Sequence, residues 1–367
     1  MSGLSFSTWA SRIPTIKTTF DFNEAELGTL LLALPIGSLI GLPLSGWLVS
    51  RFNSRVPLAF GYGLNMVSLA LIGFAHNTVT LVAAVMIFAF TTRIFNISVN
   101  TQAITLQKQF DKKIIGSFHG YWSTGGIAGI LLSTLFLALN ISIQVHFIVI
   151  AVVALLITVY SYQFLLRGDR AKTGNKIILR KPDPYILYLG LIVFCSAICE
   201  GGMFDWSGIY FQEVVKVEIF TYGYLIFMTF MAISRFISDL LVERIGMPAT
   251  YVMCSVFIAL GIALSIIFPY FWTAMIGFSL VGFGTAAVIP MSYALAGASK
   301  KYSPGLAISI IATYSITGML IGPPLIGYLA HAFGLRVSFI VFGLCGLMLI
   351  PISKLFFNYK HTVGKTI

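Results

Sequence analysis

Apolar runs, each long enough to cross a bilayer, follow one another along almost the whole chain and are separated by short polar breaks. A helix crossing the roughly 30 Å hydrocarbon core takes about 20 apolar residues, because only intact helical hydrogen bonding satisfies every backbone group there. Read this way, the pattern predicts helices near residues 2–14, 25–50, 56–75, 79–104, 114–139, 143–166, 184–211, 219–242, 248–268, 270–295, 305–330 and 335–357. The expected fold is an all-α polytopic membrane protein of twelve spans, the first of them short.

The longest polar stretch runs from Arg167 to Pro184 and carries Arg-Gly-Asp-Arg-Ala-Lys-Thr-Gly-Asn-Lys, ending at Lys181-Pro182-Asp183-Pro184. Dense charge with proline and glycine punctuation reads as a linker. It divides the chain into a six-helix half at 1–166, a linker at 167–183, a second six-helix half at 184–357 and a tail at 358–367.

The halves resemble each other. Gly46-Trp-Leu-Val-Ser50-Arg51-Phe-Asn53 recurs as Asp239-Leu-Leu-Val-Glu243-Arg244-Ile-Gly246, an offset of 193. Tyr121, Thr124, Gly125 and Gly129 recur as Tyr314, Thr317, Gly318 and Gly322 at the same offset. Two separate matches at one offset argue for duplication, and membrane chains built from two similar halves place a solute site between them near the bilayer midplane. Trp9 corresponds to Trp206 at an offset of 197, and the seventh apolar run begins near Tyr185. Its counterpart would begin about a dozen residues before Met1, so the first helix is expected to be truncated; the alternative is a short helix accommodated by local thinning of the bilayer.

Composition agrees with the hydropathy pattern: 58% of residues are hydrophobic and 10% charged, outside the soluble globular range. The net charge of +11 invites a nucleic-acid reading, but its distribution excludes one. With the N-terminus inside, seventeen Lys and Arg fall in cytoplasmic loops and the tail, against Arg12, Lys17, Lys216 and Arg336 outside. That asymmetry reports orientation, with both termini cytoplasmic. Cys195, Cys199, Cys254 and Cys345 all lie within predicted spans and read as small apolar residues rather than metal ligands.

The repeated loop resembles the signature of the major facilitator superfamily, Gly-x-Leu-Ala-Asp-Arg-x-Gly-Arg-Lys. Gly46, Leu48, Arg51 and Arg55 match it, while Ser50, Asn53 and Ser54 depart from it; the second copy keeps Glu243, Arg244 and Gly246. The resemblance implies a charge latch, in which a carboxylate near a helix end pairs with an arginine. Arg51, Arg55, Arg235, Asp239, Glu243 and Arg244 are the gating residues under this reading, with Arg235, Asp239 and Glu243 forming one ionic stripe. A static packing network is the alternative. A closer resemblance is to the branch containing the fucose permease, whose fourth helix is similar to Glu-x-x-x-Asn; here the run is Asn96-Ile-Ser-Val-Asn100. His119-Gly-Tyr-Trp, Glu200-Gly-Gly with Asp205-Trp206, and Gly322-Pro323-Pro324 also resemble that branch.

Ionisable groups deep in a bilayer are costly, which makes the few present the first candidates for chemistry. Arg93, Asn96 and Asn100 share one face of the fourth span. Arg93 can hold a solute carboxylate or phosphate; the alternatives are a structural ion pair and a snorkelling side chain. Glu200, mid-span in the seventh helix, is the first choice for proton coupling. Asp205 stands about 140° round the helix, so both acids can face one cavity only if Gly201 and Gly202 break the helix; otherwise Asp205 is an outer cap or gate. His119, Trp122 and Ser123 share a face of the fifth span, and Trp122 and Trp206 can stack on sugar C–H faces. Tyr314 completes the binding set as the counterpart of Tyr121.

The leading reading is a proton-coupled secondary transporter of a small polar solute, a sugar or sugar derivative, in the bacterial inner membrane. A monomer is expected, whose partners are the solute, protons and the lipid bilayer, with no nucleic acid. Without a Gly-x-x-x-x-Gly-Lys loop, the energy comes from an ion gradient. The competing readings are an exporter of amphipathic compounds and a non-transporting receptor or scaffold. No enzyme activity, cofactor or metal is expected, because no ligand cluster or nucleophile–base pair has recognisable spacing.

Overall fold

The computed structural model describes residues 1–107, 109–110, 115–167, 183–299, 301–302 and 304–365, with side chains at 115–119, 304–305 and 361–365 left aside. Among the described residues the regular elements are helices. In chain order they are α1 Ser2–Ala10, α2 Ile13–Thr19, α3 Glu24–Leu31, α4 Ala33–Phe52, α5 Arg55–Gly73, α6 Thr78–Gln107, α7 Ile115–Ala138 and α8 Ile143–Tyr162. Then follow α9 Pro184–Glu213, α10 Thr221–Ile267, α11 Phe271–Ala286, α12 Val288–Gly297, α13 Pro304–Phe333, α14 Leu335–Ser338 and α15 Ile340–Lys365.

Ten helical stretches among the described residues are long and apolar enough to span a membrane. One of them, α10, has 47 residues. At 1.5 Å per residue it would run about 70 Å, more than twice the hydrocarbon core, so it holds two spans. The division is at Gly246, where φ is 77° and ψ 159°. The eighth and ninth sequence-derived spans meet there. Conversely, the span near 25–50 is built from α3 and α4, and the span near 270–295 from α11 and α12, with short interruptions at Leu32 and Ala287. The last helix continues to Lys365, beyond the expected tail boundary at 358.

Polar residues in the breaks start the helices. Asn23 and Glu26 cap each other reciprocally before α3, each backbone N–H donating to the other's side chain at 2.9 Å. Asn77 Oδ1 accepts from Thr80 N at 2.9 Å before α6, and Asp183 Oδ1 accepts from Ile186 N at 3.1 Å before α9, with Pro184 in the first turn. These side chains satisfy amides that have no partner within the helix. Inside the spans, several hydroxyls return to their own backbone: Thr91 Oγ1 donates to Ile87 O at 2.7 Å and Thr158 Oγ1 to Ala154 O at 2.7 Å, while the buried Ser196 and Ser207 hydroxyls of α9 find no partner among the described residues. Hydroxyls bonded back in this way sit in apolar helices without an unsatisfied donor.

The chain forms two compact units, Met1–Asp21 with Thr29–Ile178, and Phe22–Gly28 with Leu179–Ile367. In the first, α4 and α5 pack on α6, α5 on α8, and α1 on α7. Gly37 and Gly41 bring α4 close to α6; a Cβ on Gly41 would stand 2.8 Å from Phe90 O and 3.2 Å from Arg93 Cβ. In the second unit, α9 is the central helix, packed by α10, α13 and α15. Every residue from Ser196 to Phe211 on α9 is buried. Peripheral helices are the opposite: on α8, Leu156 is 66% and Val159 75% exposed. Such apolar flanks match lipid, not water.

Candidate functional site

Each unit carries an arginine in the interior of a long apolar helix, in different circumstances. In the first unit, Arg93 is 15 residues from the start of α6 and 14 from its end. The nearer edge of the hydrocarbon core is then about 15 Å away, too far for snorkelling. Its helix is fixed from the side by Asn65 of α5, which is 2% exposed. The Asn65 amide donates to Phe88 O at 2.9 Å, Thr91 Oγ1 at 3.1 Å and Thr92 Oγ1 at 2.8 Å, one turn before Arg93. Arg93 itself is half-buried, and its Nε is closed off without a hydrogen-bond partner. It forms no ion pair among the described residues. Asn96 is half-buried and Asn100 exposed on the same face.

In the second unit, Glu200 of α9 faces Arg235 of α10, with Nη2 donating to Oε1 at 3.0 Å. The side chains are 7% and 26% exposed respectively. A charge-assisted bond at that depth holds two ions that neither group could readily bring into lipid alone. Arg235 therefore belongs with Glu200, whereas the sequence pattern assigned it to a gating stripe. Asp239 and Glu243, the other members of that stripe, are exposed, as is Arg244.

The helix break at Gly201 and Gly202 that would let both acids face one cavity is absent, since α9 runs unbroken from Pro184 to Glu213. These glycines serve packing: Gly202 lies directly under the Phe342 ring, and a Cβ on Gly201 would come 3.3 Å from Met319 Cγ. Asp205 consequently stays on a different face from Glu200. It is 6% exposed and has no hydrogen bond or ion pair among the described residues.

The aromatic candidates are dispersed. Trp206 is fully buried and its indole N–H donates to Pro323 O at 3.1 Å, so both ring faces are taken by packing. Trp122 is half-buried with Phe6 as a ring neighbour at 6.2 Å, and Ser123 beside it is 2% exposed. The His119 side chain lies outside the described residues. Tyr314 packs against Gly190, where a Cβ would meet its ring at 2.7 Å, and is half-buried, whereas Tyr121 is 75% exposed. Symmetry in sequence did not carry over to the surroundings of these two tyrosines.

The latch expected near the first signature loop takes another form. Arg55 donates from Nε and Nη2 to Tyr162 O at 3.1 and 2.8 Å, with its guanidinium 4.0 Å from the centre of the Tyr162 ring. A cation on the last carbonyl of α8 complements the negative end of that helix, and no carboxylate takes part. Arg51 is exposed nearby. Arg336 does the same for α10, donating to Ile266 O at 2.5 Å and Ile267 O at 3.2 Å.

The duplication is preserved in backbone geometry. Asn53, with φ 61° and ψ 166°, ends α4, and Gly246, with φ 77° and ψ 159°, turns the chain at the equivalent point. Only glycine enters that region freely, which explains the glycine of the signature physically.

A duplicated chain of long apolar helices with lipid-matching flanks, one half holding a buried acid–arginine pair, defines a polytopic membrane protein. The family model for the Major Facilitator Superfamily matches residues 1–299 and, again, residues 240–366. An uncharacterized transporter of Sinorhizobium fredii, y4wD, is 32% identical over 355 residues, 94% of this chain and 92% of that one. An uncharacterized MFS-type transporter of Yersinia pestis is 29% identical over 357 residues, 96% of this chain and 91% of that one. Among solved structures, a bacterial homolog of the human lysosomal transporter Spinster, inward-facing and occupied, superposes with a TM-score of 0.79 at 12% identity, covering 97% of this chain and 94% of that one. At that identity the likeness carries the fold alone. The chain belongs to the Major Facilitator Superfamily, and it is a multi-pass secondary transporter with that all-α fold.

Proposed function

We propose that the protein moves a small polar solute, a sugar or sugar derivative, across the bacterial inner membrane together with a proton, by alternating access. The observation that carries this reading is the Glu200–Arg235 pair at 3.0 Å, with the acid 7% exposed in the middle of α9. A proton arriving on the Glu200 carboxylate cancels its charge and weakens the bond to Arg235. The arginine is then free to seek another partner, and the relative stability of the two access states shifts by the lost ion-pair energy. Loss of the proton on the other side restores the pair. The proposed molecule acts as a monomer with both termini in the cytoplasm, in keeping with the seventeen-to-four distribution of Lys and Arg.

The test is uptake of labelled sugars by proteoliposomes holding the full chain under an imposed pH gradient. Concentrative uptake in wild type is expected, with Glu200→Gln retaining exchange of solute across the membrane but losing accumulation driven by the gradient. Flux indifferent to the gradient in wild type would remove the proton from the proposal.

A further inference from the structure

We infer that Arg93 is the recognition group for a negatively charged head on the solute, so that the transported class is a small polyhydroxylated organic anion bearing a carboxylate or a phosphate. The inference rests on the transport reading and adds the charge of the cargo. Three observations carry it.

First, Arg93 sits mid-membrane on α6 and has neither ion pair nor hydrogen bond among the described residues, with Nε shielded from solvent and unpartnered. An ionised guanidinium held at that depth without compensation is costly, so the arrangement persists only if something else supplies the missing acceptors. Second, among the described residues the first unit has no buried carboxylate to offer. Its one described acid, Asp21, is exposed in the turn after α2. Arg235 in the second unit is the contrast, since Glu200 neutralises it within the same unit. Third, the surroundings of Arg93 hold it in position without neutralising it. Gly41 gives passage to its stem, with a Cβ there reaching 3.2 Å from Arg93 Cβ, and Asn65 anchors the preceding turn through Thr92. Asn96 and Asn100 extend the same face with amides suited to hydroxyl groups. A planar fork of N–H donors above neutral amides matches an oxyanion attached to a polyol.

Purified full-length protein in lipid nanodiscs and in proteoliposomes, probed with glucose, gluconate and glucose 6-phosphate, tests this. The readouts are ligand-induced thermal stabilisation and counterflow. At least one of the two anions should bind wild type more tightly than glucose does, and which one separates a carboxylate site from a phosphate site. Arg93→Gln should weaken that anion by about 10- to 100-fold relative to wild type, the loss of a charge-assisted hydrogen bond, and so reduce its preference over glucose. Arg93→Lys, which keeps the charge but not the fork, should fall between them. An unchanged unfolding temperature without solute marks Arg93→Gln as folded. If both anions bind wild type no better than glucose, or bind wild type and Arg93→Gln alike, the inference is overturned while sugar transport stands. If none of the three is exchanged, the sugar reading itself fails and the inference falls with it.

Discussion

Separating Glu200 from Arg235 should cost more than removing both. The pair meets at 3.0 Å with the acid 7% and the base 26% exposed. Breaking a fully buried ion pair by removing one partner costs about 3–5 kcal/mol, because the survivor is left charged and desolvated. Arg235 keeps a quarter of its side-chain surface open, so Glu200→Gln should fall nearer about 2–3 kcal/mol. Arg235→Gln leaves a carboxyl that a proton can neutralise, so its cost should shrink between pH 8 and pH 5, while that of Glu200→Gln should not. In Glu200→Gln with Arg235→Gln two amides face each other and no charge remains. The double variant should recover about 1–3 kcal/mol relative to the sum of the singles. The assay is unfolding of purified protein at fixed detergent and lipid composition, read as apparent midpoint shifts at one scan rate. Additivity of the two singles to within about 0.5 kcal/mol would show that the ions do not depend on each other, and the proposed switch would go with it.

Gly246→Ala should lower stability by about 1–3 kcal/mol, since φ is 77° and an added Cβ is strained there even though its nearest neighbour is 3.8 Å away; thermal unfolding measures it. Asp205→Asn should raise the unfolding midpoint at pH 8, because a 6%-exposed carboxylate without a partner is replaced by a neutral isostere, and the gain should vanish at pH 5. Arg55→Gln should loosen the α5–α8 contact at Tyr162 and cost about 1–2 kcal/mol, seen as faster hydrogen exchange at the end of α8.

Helix starts were legible because polar caps such as Asn23, Asn77 and Asp183 interrupt apolar runs. The interruptions at Leu32 and Ala287 do not show in hydropathy, although each lies three residues before a proline, Pro35 and Pro290, which disrupts the helix one turn upstream. Gly201 and Gly202 left a break open in the sequence, since glycine permits one; here Phe342 and Met319 pack against them and α9 runs through. Glu200 and Arg93 stood out as charges in apolar spans, yet the pairing of Glu200 with Arg235 is a property of how α9 and α10 pack. Arg235 sits four residues from Asp239, and local spacing suggested the wrong acid. Asn65 was missed although a lone amide in an apolar span carries the same signal; its three bonds to α6 position the turn before Arg93.

The offset of 193 that preserves the turn at Asn53 and Gly246 also shows what the halves do not share. Arg93 corresponds to Ala286, 1% exposed, and Arg235 corresponds to Leu42, 37% exposed. Each half thus lacks the other's cation, and among the described residues only the second pairs its cation with an acid of its own. This asymmetry has an electrical consequence if both proposals hold. A monovalent anion on Arg93 moving with one proton on Glu200 transfers no net charge, whereas a neutral sugar moving with one proton transfers one positive charge. Moving one charge through 100 mV is worth about 2.3 kcal/mol, which is about a 50-fold change in accumulation. Proteoliposomes clamped with potassium and valinomycin at zero and at −100 mV, with the pH gradient held constant, separate the two. Accumulation of the anion should be unchanged by the potential, and its entry should produce no current. A 50-fold dependence on voltage would mean that the cargo is neutral, and Arg93 would then need a counter-charge supplied by the protein itself.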